Sequence, residues 1–462
     1  MGKMVVPRRD LNRFAYTVFS SPRRQMMRQS LSLVLLLALS SLALADEKKD
    51  EGFIDLFNGK DLAGWVPVQT APSTWTVKDQ MIICSGKPTG VMRTEKHYEN
   101  FILELEWRHM IANGNSGVFI WSDPVTSRGQ PFTRGIECQV LDGKGGDWYT
   151  THGDVFPIHG AVMKPDNPRG KGSRSYPTEN RSKPSPEWNH YRIVANEGAI
   201  ELHVNGKLVT SGKECSPRKG YICLESEGGL VHFRNIRVKE LPPAKVPLKP
   251  EQIAKLDEGF KSIYTGVDLT GWTKDEKNAG HWKADDWVID YDGKGSDLWT
   301  EKEYGDFVMI ADWRWSGKPV KKSWPAVLPT GEDAKDADGK PKLVEVDDAG
   351  DSGIYLRGSS KSQVNIWCRP CGSGEVYGYR TDATQPAEVR AGVTPKLVAD
   401  AKIGEWNRFV ITMKGDRLTV DLNGKRVLEN AQLPGVAKRG RIALQNHGDP
   451  IQFANIYIKE LE

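Results

Sequence analysis

The sequence is written twice. FIDLFNGKDLAGW (53–65) returns 207 residues later as FKSIYTGVDLTGW (260–272), and Trp75 meets Trp282 at the same offset. NFILELEWRH returns as DFVMIADWRW, NSGVFIW as DSGIYLRG, PEWNHYRIV as GEWNRFVIT, and GYICLESEGGLVHFRNIRVKEL as GRIALQNHGDPIQFANIYIKEL. A period this long excludes a solenoid, whose repeats run to roughly 20–50 residues, and leaves a tandem of two whole domains. Apolar and polar residues alternate in FILELEWRH, IELHVNGKLV and LTVDLNGKRV, the period-2 pattern of strands with one buried face. Asn205-Gly206 and Asn423-Gly424 sit where a type I′ hairpin turn belongs. Residues 249–256 alone look helical, and briefly. Each half is therefore expected to be a β-sandwich: residues 46–241 and 258–462, joined by a linker over 242–257 that the prolines of LPPAKVPLKPEQ hold extended.

Residues 1–45 read as an N-terminal extension and signal peptide. Arg23, Arg24 and Arg28 precede the apolar SLSLVLLLALSSLALA, and Ala43-Leu44-Ala45 forms an A-x-A cleavage site. The apolar run is shorter than the ~18 residues of a membrane helix, so the expected mature chain is exported, with no membrane span. Its ~25-residue basic preface fits a start at Met26 or Met27. Without this segment Lys+Arg falls from 64 to 57 and Asp+Glu from 60 to 59, a net charge of −2. The apparent basicity belongs to the leader, and no nucleic-acid partner is expected.

Of the six cysteines, Cys368 and Cys371 form a C-x-x-C pair. Without a second matching pair of Cys or His, a disulfide or two free thiols is preferred to zinc. Thirty extra residues fall within 317–350 of the second half. Asp336, Asp338, Gly339 and Glu345 there match parts of a calcium loop, but Ala334 occupies its first ligand position, so a flexible acidic loop is expected.

Chemistry concentrates in the first half, at GIECQVLD (135–142). Glu137 and Gln139 share a strand face, and a bulge would return Asp142 to it. Such a row is either substrate-facing or a solvated face. The second half puts Asn365 opposite Glu137, Trp367 opposite Gln139 and Pro370 opposite Asp142, so if the row matters the first half is the active one and the second binds or supports. THGDVFPIH adds His152, Asp154 and His159, able to move protons or hold a divalent metal, or else to make turn hydrogen bonds. Arg108, Asn115 and Gln139 are candidates for binding substrate, Arg108 as a donor to a sugar oxygen, with a surface ion pair the alternative for Arg108 and a turn-forming role the alternative for Asn115. Trp121, Trp148 and Trp367 are candidates for stacking on a sugar, while Trp65, Trp188, Trp272 and Trp406 recur in both copies and are expected in the cores.

The motifs GxDLxGW, NSGVFIW, GIECQVLD, EWNxY, HVNGKLV and HFRNIRVKEL together resemble the 3-keto-disaccharide hydrolase domain family over nearly all of residues 52–462. The resemblance implies an all-β chain of two tandem concanavalin-like jelly-roll sandwiches, acting on an oligosaccharide or oxidised glycoside. It sets no oligomeric state. A 3-keto group acidifies the C2 proton, so a base can remove it and the C1 oxygen can leave; hydration then completes net hydrolysis. On this reading Glu137 is the base. Arg108, His159 or a divalent metal steadies the enolate, and Asp142 or His152 is the acid. The first copy keeps NSG and E-x-Q-x-x-D but has LESEG where the second has LQNHG. A non-catalytic sugar-binding tandem is the alternative.

Overall fold

The computed structural model describes residues 51–142 and 153–462. Two β-sandwiches follow one another along the chain, and every ladder between strands is antiparallel. The first pairs a nine-stranded sheet with a six-stranded one, the second an eight-stranded with a four-stranded one. In the strand Phe101–His109, Phe101, Leu103, Leu105, Trp107 and His109 are buried, while Ile102, Glu106 and Arg108 point away from the core. Its counterpart Phe307–Trp315 buries Trp313 in the same way. The two inner faces close separate hydrophobic cores, as alternation requires. Asn205-Gly206 and Asn423-Gly424 both have positive φ at each central residue, the conformation a type I′ turn imposes.

Several local expectations are corrected. Residues 317–350 form an ordered hairpin, Val320–Pro325 against Leu343–Asp348, instead of a flexible loop. The carboxylate of Asp336 caps its tip by accepting from the amides of Asp338 and Lys340. The helical stretch shrinks to one 3-10 turn, Pro250–Gln252, while short helices appear at Tyr377–Arg380 and Ala387–Gly392. All six cysteines are free thiols, in line with the thiol reading of Cys368 and Cys371. Trp65 and Trp272 are core residues. Trp188, by contrast, lies half-buried on an outer face between the guanidinium groups of Arg108 and Arg234, 4.5 and 4.0 Å from its ring centre. Trp406 packs beside Trp287 and Arg314 at the junction of the sandwiches.

The junction decides what the first sandwich can expose. The face of the six-stranded sheet turned away from its own core carries Val68, Val91, Phe119 and Cys223. These pack on Ile310 and Tyr457 from the large sheet of the second sandwich. A loop of the first sandwich seals one side: Asp312 accepts from the amide of Gly129 at 2.7 Å, and Asn455 donates to the carbonyls of Ser127 and Gln130. Beneath it Asp312 and Arg408 form a two-pronged ion pair at 2.6 and 2.8 Å, with Asp312 fully buried. Among the described residues no helix is long and apolar enough to cross a membrane.

Candidate active site

Glu137 and Gln139 do share a face of the strand Gly135–Leu141, the face opposite the core residues Ile136, Cys138 and Val140. That strand pairs with Asn115–Ser122, which on its other side pairs with Tyr221–Ser226. Gly117 lies opposite Gln139, and the Ser116 hydroxyl donates to the carbonyl of Glu225 at 2.8 Å. The outcome is a carboxylate pair across a glycine. A Cβ placed on Gly117 would stand 2.8 Å from Glu225 Oε2 and 2.9 Å from Glu137 Oε1. A side chain here would enter the space the two carboxylates occupy.

A third carboxylate joins them. Glu227 accepts from the Asn115 side chain, and Asn115 Oδ1 accepts from Gln139 Nε2 at 2.7 Å, so the two predicted amides orient it. Asp154, fully buried, forms an ion pair with Arg174 at 3.0 Å. The Arg174 guanidinium lies 3.4 Å from the ring centre of Phe156, the residue opposite Glu137 in the ladder.

The electrostatics follow from burying three acids together. Burial first, then repulsion from Glu227, pushes Glu137 well above the usual carboxylate range, with Arg174 opposing and Asp154 adding. Burial, then Glu137 and Glu227, does the same to Glu225, whose Oε2 is buried with no hydrogen-bond partner among the described residues. Glu227 is pushed up to about 7, chiefly by burial and further by Asp286 of the second sandwich, against the Asn115 hydrogen bond. At neutral pH the cluster therefore holds protons and charge together, the condition for one site to act as both acid and base. Beside Glu227, Gly228 borders a cavity of about 470 Å³ between the sandwiches, walled by Lys87, Pro88 and Thr89 on one side and Gly266, Val267 and Asp286 on the other.

Other predicted residues lie elsewhere. Asp142 does not join the row, because the ladder from Asn115–Leu141 to Ile120–Ile136 runs without the bulge that would turn it over. His159 stacks on Phe132 and lines a second inter-sandwich cavity with Arg134 and Lys255. Burial lowers its pKa, and it is not among the groups that perturb Glu137. Arg108 belongs to the large sheet and packs on Trp188 and His232, so it faces away from the carboxylates. Trp121 is fully buried and donates to the carbonyl of Glu99, a core residue instead of a sugar platform. Trp367 is buried too, its indole N–H on Gly372. His152 and Trp148 lie outside the described residues. Among the described residues no group of three or more His, Cys, Asp or Glu is arranged to hold a metal ion.

Glu225, Glu227 and Arg174 went unread in the sequence. The first two sit in LESEG, where the contrast with LQNHG was the available signal; Arg174 lies in a Gly/Ser/Arg/Pro tract that offers none. Register also corrects the comparison of the halves. Ser352 pairs with Ile366 as Ser116 does with Val140, so Gln363 stands in the place of Glu137, Asn365 in that of Gln139, and Gln445 in that of Glu225. In the second sandwich Gln363 donates to Gln445, an amide pair where the first has acids.

Known proteins are similar to parts of this chain. A 3-keto-disaccharide hydrolase of Bacteroides thetaiotaomicron is 27% identical over 242 residues, 41% of this chain and 79% of the relative. A Parabacteroides distasonis structure solved under the provisional description of glycosyl hydrolase is 24% identical, covering 42% of this chain and 97% of its own, with a TM-score of 0.34. The carbohydrate-binding module CBM66 of Bacillus subtilis is 11% identical over 38% of this chain and 96% of its own, with a TM-score of 0.28. The family model described as the 3-keto-alpha-glucoside-1,2-lyase-like domain matches residues 52–239 and again 259–459. This chain belongs to that family and carries its domain twice.

Proposed function

We propose that the first sandwich is a glycoside-cleaving enzyme acting on 3-keto-glycosides by elimination and hydration. The family membership and the hydrolase relative support a carbohydrate-acting hydrolase. The carboxylate pair across Gly117, with Glu227 tuned to about 7, supports acid–base chemistry in particular.

The three acids divide the work by their surroundings. Glu137 serves as the base for the C2 proton in its ionised form, which Arg174 favours against the burial and the repulsion from Glu227 that hold its proton on. The electron pair of that C–H bond forms the C1–C2 double bond as the C1–O bond breaks. The leaving sugar oxygen takes a proton from Glu227, the half-buried acid beside the cavity. Glu225, deepest of the three, stays protonated and donates a hydrogen bond, as a buried acid at neutral pH can. Water adding across the new double bond restores the 3-keto sugar, so the sum is hydrolysis. A leader that exports the chain would bring it to glycosides outside the cytoplasm.

Turnover of 3-keto-trehalose or a 3-keto-glucoside by the mature chain, with and without chelator, tests this. Glu137→Gln should lower kcat by about 10²-fold or more, the usual worth of a general base. Arg108→Ala, on the far sheet, should leave kcat/KM within about twofold, because the half-buried Arg108 touches Trp188 and His232 and none of the three carboxylates. Turnover intact in Glu137→Gln, or cleavage of unoxidised glucans only, defeats the proposal.

A further inference from the structure

Glu227 follows the strand Tyr221–Ser226 and is pinned on both sides by one loop, residues 85–89, which joins the strands Met81–Cys84 and Gly90–Thr94. The Ser226 hydroxyl donates to the carbonyl of Pro88 at 2.7 Å, and the amide of Gly228 donates to the carbonyl of Gly86 at 2.8 Å. Where this loop moves, residues 226–228 move with it.

The loop in turn is held from the second sandwich. There the strands Trp282–Asp285 and Val288–Tyr291 are joined by a two-residue turn, Asp286-Trp287. Asp286 takes the left-handed conformation, with φ 53°, which Asp tolerates better than most residues. Its Oδ1 accepts from the amide of Thr89 at 2.6 Å, a charge-assisted bond, and the carbonyl of Trp287 accepts from the Gln69 side chain at 3.0 Å. Gly266 closes on Pro88 so tightly that a Cβ there would stand 2.4 Å from the proline Cγ. Asp286, Gly266, Pro88 and Thr89 line, with Gly228, the cavity of about 470 Å³ beside Glu227. Lys87 and Asp285 are the other charged groups lining that cavity, and Glu137 and Glu225 lie near Glu227 on its own sheet. A fixed negative charge on the wall disfavours the ionised form of Glu227, the direction in which its pKa is moved.

We propose that Asp286 is a positioning residue of the active site: from the second sandwich it braces the loop that fixes Glu227 and sets a negative charge on the wall of the same cavity. The working unit is then both sandwiches together. This rests on the assignment of Glu227 as the proton donor.

Two variants of the full chain test it. Asp286→Asn keeps an acceptor for Thr89 and loses the charge; Asp286→Ala loses both. Turnover of a 3-keto-glucoside against pH should keep its plateau in Asp286→Asn, with the alkaline midpoint, about 7 in the wild type, moved to lower pH. Asp286→Ala should show the same movement and lose about tenfold in kcat besides, since a displacement of about 1 Å can cost about 10²-fold. With Glu227→Gln already in place, Asp286→Asn should move nothing. Urea midpoints against pH give a reading free of substrate: the fall in the contribution of Glu227 to stability, which ends near pH 7 in the wild type, should end at lower pH in both variants. Should the wild type turn over no 3-keto-glycoside, the proposed reaction fails while the urea profile still decides the role of Asp286. Profiles unmoved by either variant, or a lower Tm as the sole effect, overturn the proposal.

Discussion

Replacing Gly117 by alanine puts the carboxylate pair to a direct test. The added methyl would meet Glu225 Oε2 at 2.8 Å and Glu137 Oε1 at 2.9 Å, against about 3.4 Å for ordinary contact. Each carboxylate must then yield by roughly 0.5 Å. Both are ends of side chains that can turn aside without moving a strand, while the third contact, the packed ring of Phe119 at 3.0 Å, must shift by a few tenths of an ångström. A displacement of about 1 Å in a reacting group can cost about 10²-fold, so half of that predicts roughly a tenfold loss of kcat. Stability should change little. The lower entropy of the unfolded alanine chain favours folding by about 0.4–1 kcal/mol, offsetting some of the crowding. A net change under about 1 kcal/mol corresponds to a Tm shift of no more than about 4 °C for domains of this size. Gly353→Ala is the control: its methyl runs into Gln363, the amide counterpart, and turnover should not change. The assays are kcat on a 3-keto-glucoside and Tm by differential scanning calorimetry. Wild-type turnover in Gly117→Ala, or equal losses from both variants, refutes the geometry; a collapse in Tm refutes the claim that the side chains yield freely.

Two further outcomes follow from the same contacts. Glu227 has a folded pKa of about 7 against 4.5 unfolded, so between these values the native state holds a proton the unfolded chain has released. The contribution of Glu227 to stability should therefore fall as pH rises from about 4.5 to 7 and level off above; turnover that needs its proton should fall as pH passes about 7. Glu227→Gln should flatten both profiles, and an unchanged alkaline limb counts against Glu227 as the acid. At the junction, Asp312→Ala leaves Arg408 buried without its partner, which should cost about 3–5 kcal/mol by urea denaturation. An unchanged midpoint would show that the junction does not depend on this pair.

The sequence by itself determined the tandem, the all-β class and the row Glu137–Gln139, because repetition, alternation and turn chemistry are local properties written in consecutive residues. Asn115 and Gln139 belonged to the readable part for the same reason. Only the tertiary structure decided which strands are neighbours: Tyr221–Ser226 lies beside Asn115–Ser122 though about a hundred residues separate them, and that pairing sets Glu225 and Glu227 against Glu137. Register, equally non-local, showed Asp142 out of phase, moved Arg108 to the far sheet, and exchanged Asn365 for Gln363 as the counterpart of Glu137. Side-chain periodicity names a face but not what comes to rest against it; that depends on sheet order and on where the second sandwich packs, which no short window of sequence contains.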